Sequence, residues 1–289
     1  MKFELCLLGL LAGLWGSSYL FAKVALATIP PLTLVALRVT IAAVLLLLLV
    51  LRAQGVRMPR DAKSWRLLLI QASLNSIAPW TVLAWGQQYV DSGLAGVLNS
   101  TSPIFVFFIT LIFIRHERVS GWQLAGAALG LLGVVLTVGV DALRGLGRET
   151  AAQLAVLLGA LLYAGAAIHG KRLSHLPPAV TAAGTMLLAT LCLVPASLFL
   201  ERPWTLKPSS DSLLAALVLA VFCTAGALLL YFRLVRTLGP MGVASQSYLR
   251  AGVSVVLGIV VLGERITPAI GLGLVAIVLG VVAINLRRR

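Results

Sequence analysis

Two guanidinium groups stand where an apolar chain would ordinarily place none. Arg38 and Arg250 interrupt the long apolar runs Leu32–Val50 and Met241–Leu262. In a bilayer each such charge costs roughly 2.5–3.5 kcal/mol or more, so a chain that keeps one has a use for it. Arg250 lies about 13 Å into its run at a rise of 1.5 Å per residue, close to a bilayer midplane. Arg38 lies about 9 Å in, within reach of the outer interface by an extended side chain. Arg250 is therefore expected to hold the carboxylate of a ligand, the alternative being an arginine that caps another helix's carbonyls. Arg38 is expected to be structural.

Helical spacing gives Arg250 partners. Gln246, Arg250 and Ser254 recur at i, i+4 and i+8 on one stripe. In the run Leu67–Gln88, Ser76, Trp80 and Gln87 fall near one face, with Asn75 and Pro79 beside them. Pro79 leaves a backbone carbonyl without a donor, which suits a helix that kinks beside a cavity. Asn99, Ser102 and Pro103 repeat the theme in Gly93–Ile114. Trp15, Tyr19, Trp80, Trp85, Tyr163 and Tyr248 can clamp an apolar or aromatic body while Arg250 and the amides hold its carboxylate. The expected substrate contacts are Arg250, Gln246, Trp15, Tyr163, Asn99, Trp80, Asn75 and Tyr248. The competing reading is that the amides are hydrogen-bond glue between helices. Trp65, Trp122, Trp204 and Tyr89 fall at run ends, where aromatics anchor a bundle in the interface.

Other chemistries find few residues. All nine acids lie at run ends or between runs, so no buried carboxylate offers a proton relay. Cys6, Cys192 and Cys223 lie inside apolar runs without metal-ligand spacing and are expected to be small core residues, with no metal bound. His169, near the inner end of its run, is expected to snorkel to the interface beside Lys171. Ser, His and Cys occur singly within the runs, so an intramembrane nucleophile is disfavoured. No phosphate-binding loop is present, which excludes ATP hydrolysis, and no cofactor is expected.

The elements that must position these residues follow from composition. Of 289 residues, 60% are hydrophobic and 11% charged, with mean hydropathy +1.03. A soluble domain carries about 25% charged residues, so the chain is read as an all-α polytopic membrane protein embedded in a lipid bilayer. Ten runs are long enough to cross: Leu5–Ala27, Leu32–Val50, Leu67–Gln88, Gly93–Ile114, Trp122–Val140, Ala151–Gly170, Ala179–Leu200, Leu213–Phe232, Met241–Leu262 and Ile270–Leu286. The net charge of +14 sits at run ends, which is a topology signal rather than a nucleic-acid patch. With both termini cytoplasmic, 15 Lys and Arg fall inside and 6 outside, which sets the orientation.

An internal repeat organises the runs. A shift of 147 residues lays Glu117-Arg118-Val119-Ser120 over Glu264-Arg265-Ile266-Thr267, Gly133-Val134-Val135 over Gly280-Val281-Val282, and Asn99 over Gln246. It also lays Ile29-Pro30-Pro31 over Leu176-Pro177-Pro178, and a shift of 148 pairs Trp15 with Tyr163. Residues 1–140 and 151–289 are thus expected to be two five-helix repeats joined by a linker at 141–150. Because five is odd, the second repeat enters the membrane from the opposite side, the inverted architecture of secondary transporters. Glu117 and Glu264 precede the fifth and tenth helices, where an acid complements the positive end of the helix dipole, and each is expected to be a structural hinge or a cap of the helix that follows. The glycines of those two helices suit close packing, as scaffold or as the seam of a homodimer.

Leu14-Trp15-Gly16-Ser17-Ser18 with Lys23, Pro30 to Arg38, Thr101-Ser102-Pro103, Glu117-Arg118 and Leu262-Gly263-Glu264-Arg265 resemble the EamA family of the drug/metabolite transporter superfamily. The resemblance spans nearly the whole chain. It implies a carrier of the bacterial inner (plasma) membrane, usually an exporter of amino acids or other small metabolites. The implied cavity is lined by the first, third, fourth, sixth, eighth and ninth helices. The small multidrug-resistance relatives use a glutamate in the first helix, whereas Gly13-Leu14-Trp15-Gly16 stands here, so drug–proton exchange by that route is not expected. The sequence therefore predicts an alternating-access exporter of amino acids or related carboxylates. Sugars or purines are the alternative cargo, and a channel or intramembrane enzyme the alternative class.

Overall fold

The computed structural model describes residues 2–52, 57–113, 121–138, 148–231, 233–234, 237, 246–265 and 268–285. Glu117-Arg118 and the linker core lie outside them, as do the side chains of Gln246 and Tyr248. The described residues form α-helices and their variants, as apolar segments must when water cannot satisfy their backbone. In order these are α1 (Lys2–Ala25), α2 (Pro31–Arg52), α3 (Ala62–Ala72), α4 (Ala78–Gln87), α5 (Ser92–Asn99), α6 (Ser102–Phe113), α7 (Gly121–Val138), α8 (Arg148–Gly170), α9 (Pro178–Leu200), α10 (Ser210–Ala220), α11 (Gln246–Leu262) and α12 (Pro268–Asn285). Seven spans are long and apolar enough to cross a membrane, and three shorter apolar helices, Leu124–Leu136, Leu249–Leu262 and Gly271–Gly280, accompany them. The chain is an all-α polytopic membrane protein. Its outward faces carry large apolar side chains such as Phe199 and Val260, 83% and 75% exposed, as a lipid-facing surface requires.

Three expected spans are not continuous α-helices. α3 and α4 are joined by a π-helical turn over Ser73–Ile77, and α10 passes into another over Val221–Gly226. Pro79 accounts for the first: it has no N–H to give and its ring crowds the preceding turn. In the second, Thr224 Oγ1 donates to Leu219 O, five residues back, at 2.8 Å. A shift of 148 brings Ser73 onto Val221, so the two widened turns occupy matching places. The fourth span breaks at Ser100-Thr101 between α5 and α6. There Ser100 Oγ and Thr101 Oγ1 donate to Gly96 O and Leu98 O, at 2.8 and 2.6 Å.

Helix packing follows the same shift. α7 packs on α12 and α2 on α9, each pair joining equivalent helices. The contact of α1 with α11 is matched by that of α8 with α5 and α6, and α3 on α8 is matched by α10 on α1. The α7–α12 contact is the most extensive and is made of glycine. A Cβ on Gly280 would stand 2.5 Å from Gly126 O, and one on Gly133 would stand 2.7 Å from Gly273 O. Within one chain these glycine faces hold α7 against α12.

Carboxylates tie the helices at one end. Gly263 takes φ 66°, a left-handed conformation that glycine adopts without steric cost, and ends α11. The turn delivers Glu264 to the start of α5, where Oε1 and Oε2 accept from the N–H of Ser92 and Gly93 at 2.6 and 2.9 Å. Gly258 leaves room for the carboxylate. The expectation that Glu264 caps its own following helix is corrected: it caps α5, 172 residues away in sequence, because the turn at Gly263 redirects it. Glu201 does the same for α2, accepting from Leu32 and Thr33 N–H at 3.0 and 2.6 Å. A carboxylate on paired helix N-terminal amides gains charge-assisted bonds and the helix dipole. Glu264→Ala is expected to cost about 2 kcal/mol, and Glu264→Gln about half of that. Thermal unfolding in detergent reads both; unchanged midpoints would mean that the cap bonds exchange for water at no cost.

Two further expectations change. Cys223 is buried, but Cys6 and Cys192 are exposed on outward faces rather than in the core. Both lie on outward faces of their helices, α1 and α9, a direction that apolar runs without polar alternation do not encode. His169 does not snorkel: it is 9% exposed, and its Nε2 lies 3.0 Å from Leu67 O on α3.

Candidate functional site

The polar side chains of the interior converge between the halves. Arg38, on the buried stripe of α2 with Leu34, Val39 and Ala42, turns inward. Its Nε donates to Thr224 Oγ1 at 2.7 Å, and its guanidinium lies 3.8 Å from the centroid of the Trp80 ring. Trp80 Nε1 in turn donates to the Tyr163 hydroxyl of α8. The widened turns place two of these groups. Thr224 has its hydroxyl hydrogen committed to Leu219 O, so its lone pairs are open to Arg38. Trp80 stands one turn after the π segment, just past Pro79.

Arg250 joins the group from α11. The Tyr163 hydroxyl lies within electrostatic range of both Arg38 and Arg250, and Arg38 also within range of Tyr19 and Cys223. Arg250 Nε is buried without a hydrogen-bond partner among the described residues. On the other side, Asn99 at the end of α5 is 2% exposed and donates through Nδ2 to the Tyr19 hydroxyl. Its Oδ1 is likewise buried without a partner there. A buried donor and a buried acceptor left open cost about 1–3 kcal/mol each, and a ligand's polar groups offset that cost.

Of the expected contacts, Arg250, Tyr163, Asn99 and Trp80 thus come together, linked through Arg38 and Tyr19. Trp15 lies one turn before Tyr19 on α1 and packs against Tyr231, ring centroids 5.5 Å apart. Asn75 donates to Ser76 on its own π turn at 3.2 Å, and no contact among the described residues joins it to Arg38 or Tyr163. Gln246 opens α11; its side chain and that of Tyr248 fall outside the described ones. Trp85 belongs with the interfacial aromatics: it is 38% exposed and meets Tyr89 edge-on.

Sequence reasoning missed Arg38 and Thr224. Depth along the run placed Arg38 within reach of the interface, but a side chain that long also reaches inward. The signal was the stripe Leu34, Ala42 and Leu46 around it, apolar and partly small, which marks a buried face. Lys23 was missed too. It closes the end of α4, donating to Gln87 O and Val90 O at 2.8 and 2.7 Å, while Gln87 Nε2 donates to Tyr19 O at 3.1 Å. Asp91 follows, between the spans. Partial burial holds its carboxyl above the ordinary range, Glu264 adds to this, and Lys23 opposes it.

Comparison with known proteins agrees with this architecture. The model of the EamA-like transporter family matches the chain twice, over residues 3–139 and 150–286. The uncharacterized inner membrane transporter YedA of Escherichia coli (strain K12) is 29% identical over 273 residues, covering 94% of this chain and 87% of its own. The protein PagO of Salmonella typhimurium is 28% identical over 249 residues, 81% of this chain and 77% of its own. A crystal structure superposes with a TM-score of 0.67 over 100% of this chain and 99% of that one at 20% identity, which shows a shared fold. With two matches that between them take in both sets of helices, the chain belongs to the EamA-like transporter family and is a multi-pass transporter of the inner membrane.

Proposed function

We propose that the chain is an alternating-access carrier that exports small metabolites bearing a carboxylate, amino acids or related carboxylates. The observation that carries this reading is the convergence of Arg38, Arg250, Trp80 and Tyr163 on one place between the halves, with Arg250 Nε open. Guanidinium groups bind carboxylates through planar paired bonds, and the Trp80 and Tyr163 rings offer an apolar platform.

Alternation between two accessible states rests on the repeat. The two halves are taken as inverted copies spanning 1–140 and 151–289, related by an axis in the membrane plane. The π turns at matching positions of α3–α4 and α10 supply one pliable point per half beside the site. Exchanging the tilts of the two halves opens the site to one side and then the other, and no chemical step is required. The expected result is saturable counterflow of a labelled carboxylate, tested with a panel of aromatic and aliphatic amino acids, in proteoliposomes holding the purified chain. A panel without a single transported carboxylate would overturn the reading and shift the search to sugars and purines.

A further inference from the structure

The site is charged, and among the described residues that charge is uncompensated. Arg38 spends its Nε on the neutral Thr224 hydroxyl and its face on the Trp80 ring. The side chains that act on it electrostatically are Tyr163, Cys223 and Tyr19, none of them an acid. Arg250 acts on the same Tyr163 hydroxyl, and its Nε has no partner among the described residues. The described acids lie at helix ends, where Glu201 and Glu264 are engaged by backbone amides. Glu117 and Asp141, outside the described residues, fall between the expected spans.

Resting on the carrier reading above, we propose that the site selects small organic anions over zwitterions and that the membrane potential drives their export without a coupling ion. A zwitterionic amino acid brings its ammonium within a few bonds of the carboxylate, into the field of both arginines. There, among the described residues, it meets neutral acceptors such as Asn99 Oδ1. The 2-oxo acid with the same carbon skeleton has the carboxylate without the ammonium, and so gains the attraction without the repulsion. In a medium of low dielectric that difference is large.

The energetics of export follow from the same charge. A monoanion leaving a cytoplasm of negative potential moves down the electrical gradient, and each transported charge is driven by the full potential. A carrier of this kind needs no proton relay, and the chain has no acid placed to form one inside the spans.

The test is a matched pair in proteoliposomes, labelled phenylpyruvate against labelled phenylalanine, with a potassium gradient and valinomycin setting the potential. Phenylpyruvate is expected to half-saturate at a concentration about tenfold lower. An inside-positive potential from a tenfold potassium gradient is expected to raise its accumulation about tenfold, and the reverse gradient to lower it as much. Arg250→Lys, which keeps the charge, is expected to retain the preference, whereas Arg250→Gln narrows it. Uptake of phenylalanine at equal or lower concentration than phenylpyruvate would leave the carrier reading standing and overturn this one. Uptake of phenylpyruvate indifferent to the potential would overturn the electrogenic drive. Transport of neither would overturn both.

Discussion

Arg38→Ala is expected to lower the initial rate of counterflow about a hundredfold while the protein still purifies as a monodisperse species. The argument begins with what the guanidinium touches. It bonds Thr224 on the widened turn of the eighth span, and it stacks on Trp80 just past the widened turn of the third. Trp80 holds the Tyr163 hydroxyl of α8 in turn. Truncating one member of a buried, hydrogen-bonded charged group costs about 2–5 kcal/mol, of which 2.7 kcal/mol corresponds to a hundredfold. Arg38→Lys keeps the charge but loses both the planar stack and the Nε bond in that geometry, so a loss of about tenfold is expected. Thr224→Val removes the acceptor alone and is expected to cost about tenfold as well. Initial rates at equal reconstituted protein decide the matter: a wild-type rate in Arg38→Ala would reduce Arg38 to a strut between helices.

Local patterns in the chain announce the helices and leave their partners unsaid. The apolar runs fall on described helices, because a continuous apolar segment in lipid has only the helix available. The two π turns align at a shift of 148, one residue more than the 147 that lays Glu117 over Glu264. What stayed hidden was long-range. Nothing around Gly263-Glu264 says that the carboxylate serves α5 rather than the helix that follows it, because the left-handed turn fixes its direction only once α5 is in place. Arg38 was misjudged for a related reason: position along a helix sets how deep a Cα lies, not where six bonds of side chain lead. The π turn at Val221–Gly226 lacks the proline that explains its counterpart, so no residue type flagged it. Arg250, Asn99, Tyr163 and Trp80 were legible because a charge, an amide or a large ring within an apolar run is costly unless it is used.

Gly280→Ala is expected to destabilise the protein by about 1–3 kcal/mol, although alanine forms helices better than glycine does. The new Cβ would lie 2.5 Å from Gly126 O, 2.6 Å from Gly130 N and 2.7 Å from Gly130 Cα. All three are backbone atoms of α7, so no rotamer change relieves the overlap and the two helices must separate. In lipid that separation is costly, because helix association there has little hydrophobic drive and rests on close contact along the interface. A gap of 0.5–1 Å already forfeits about a quarter to a half of the dispersion energy at each contact. Gly9 supplies the control: nothing lies within 4 Å of its Cβ position, so Gly9→Ala is expected to be neutral or to gain up to about 1 kcal/mol from helix propensity. Thermal unfolding of the two variants in one detergent separates propensity from packing. A midpoint for Gly280→Ala at or above that of Gly9→Ala would mean that α7 and α12 give way without loss, and that the glycine seam does not set their distance.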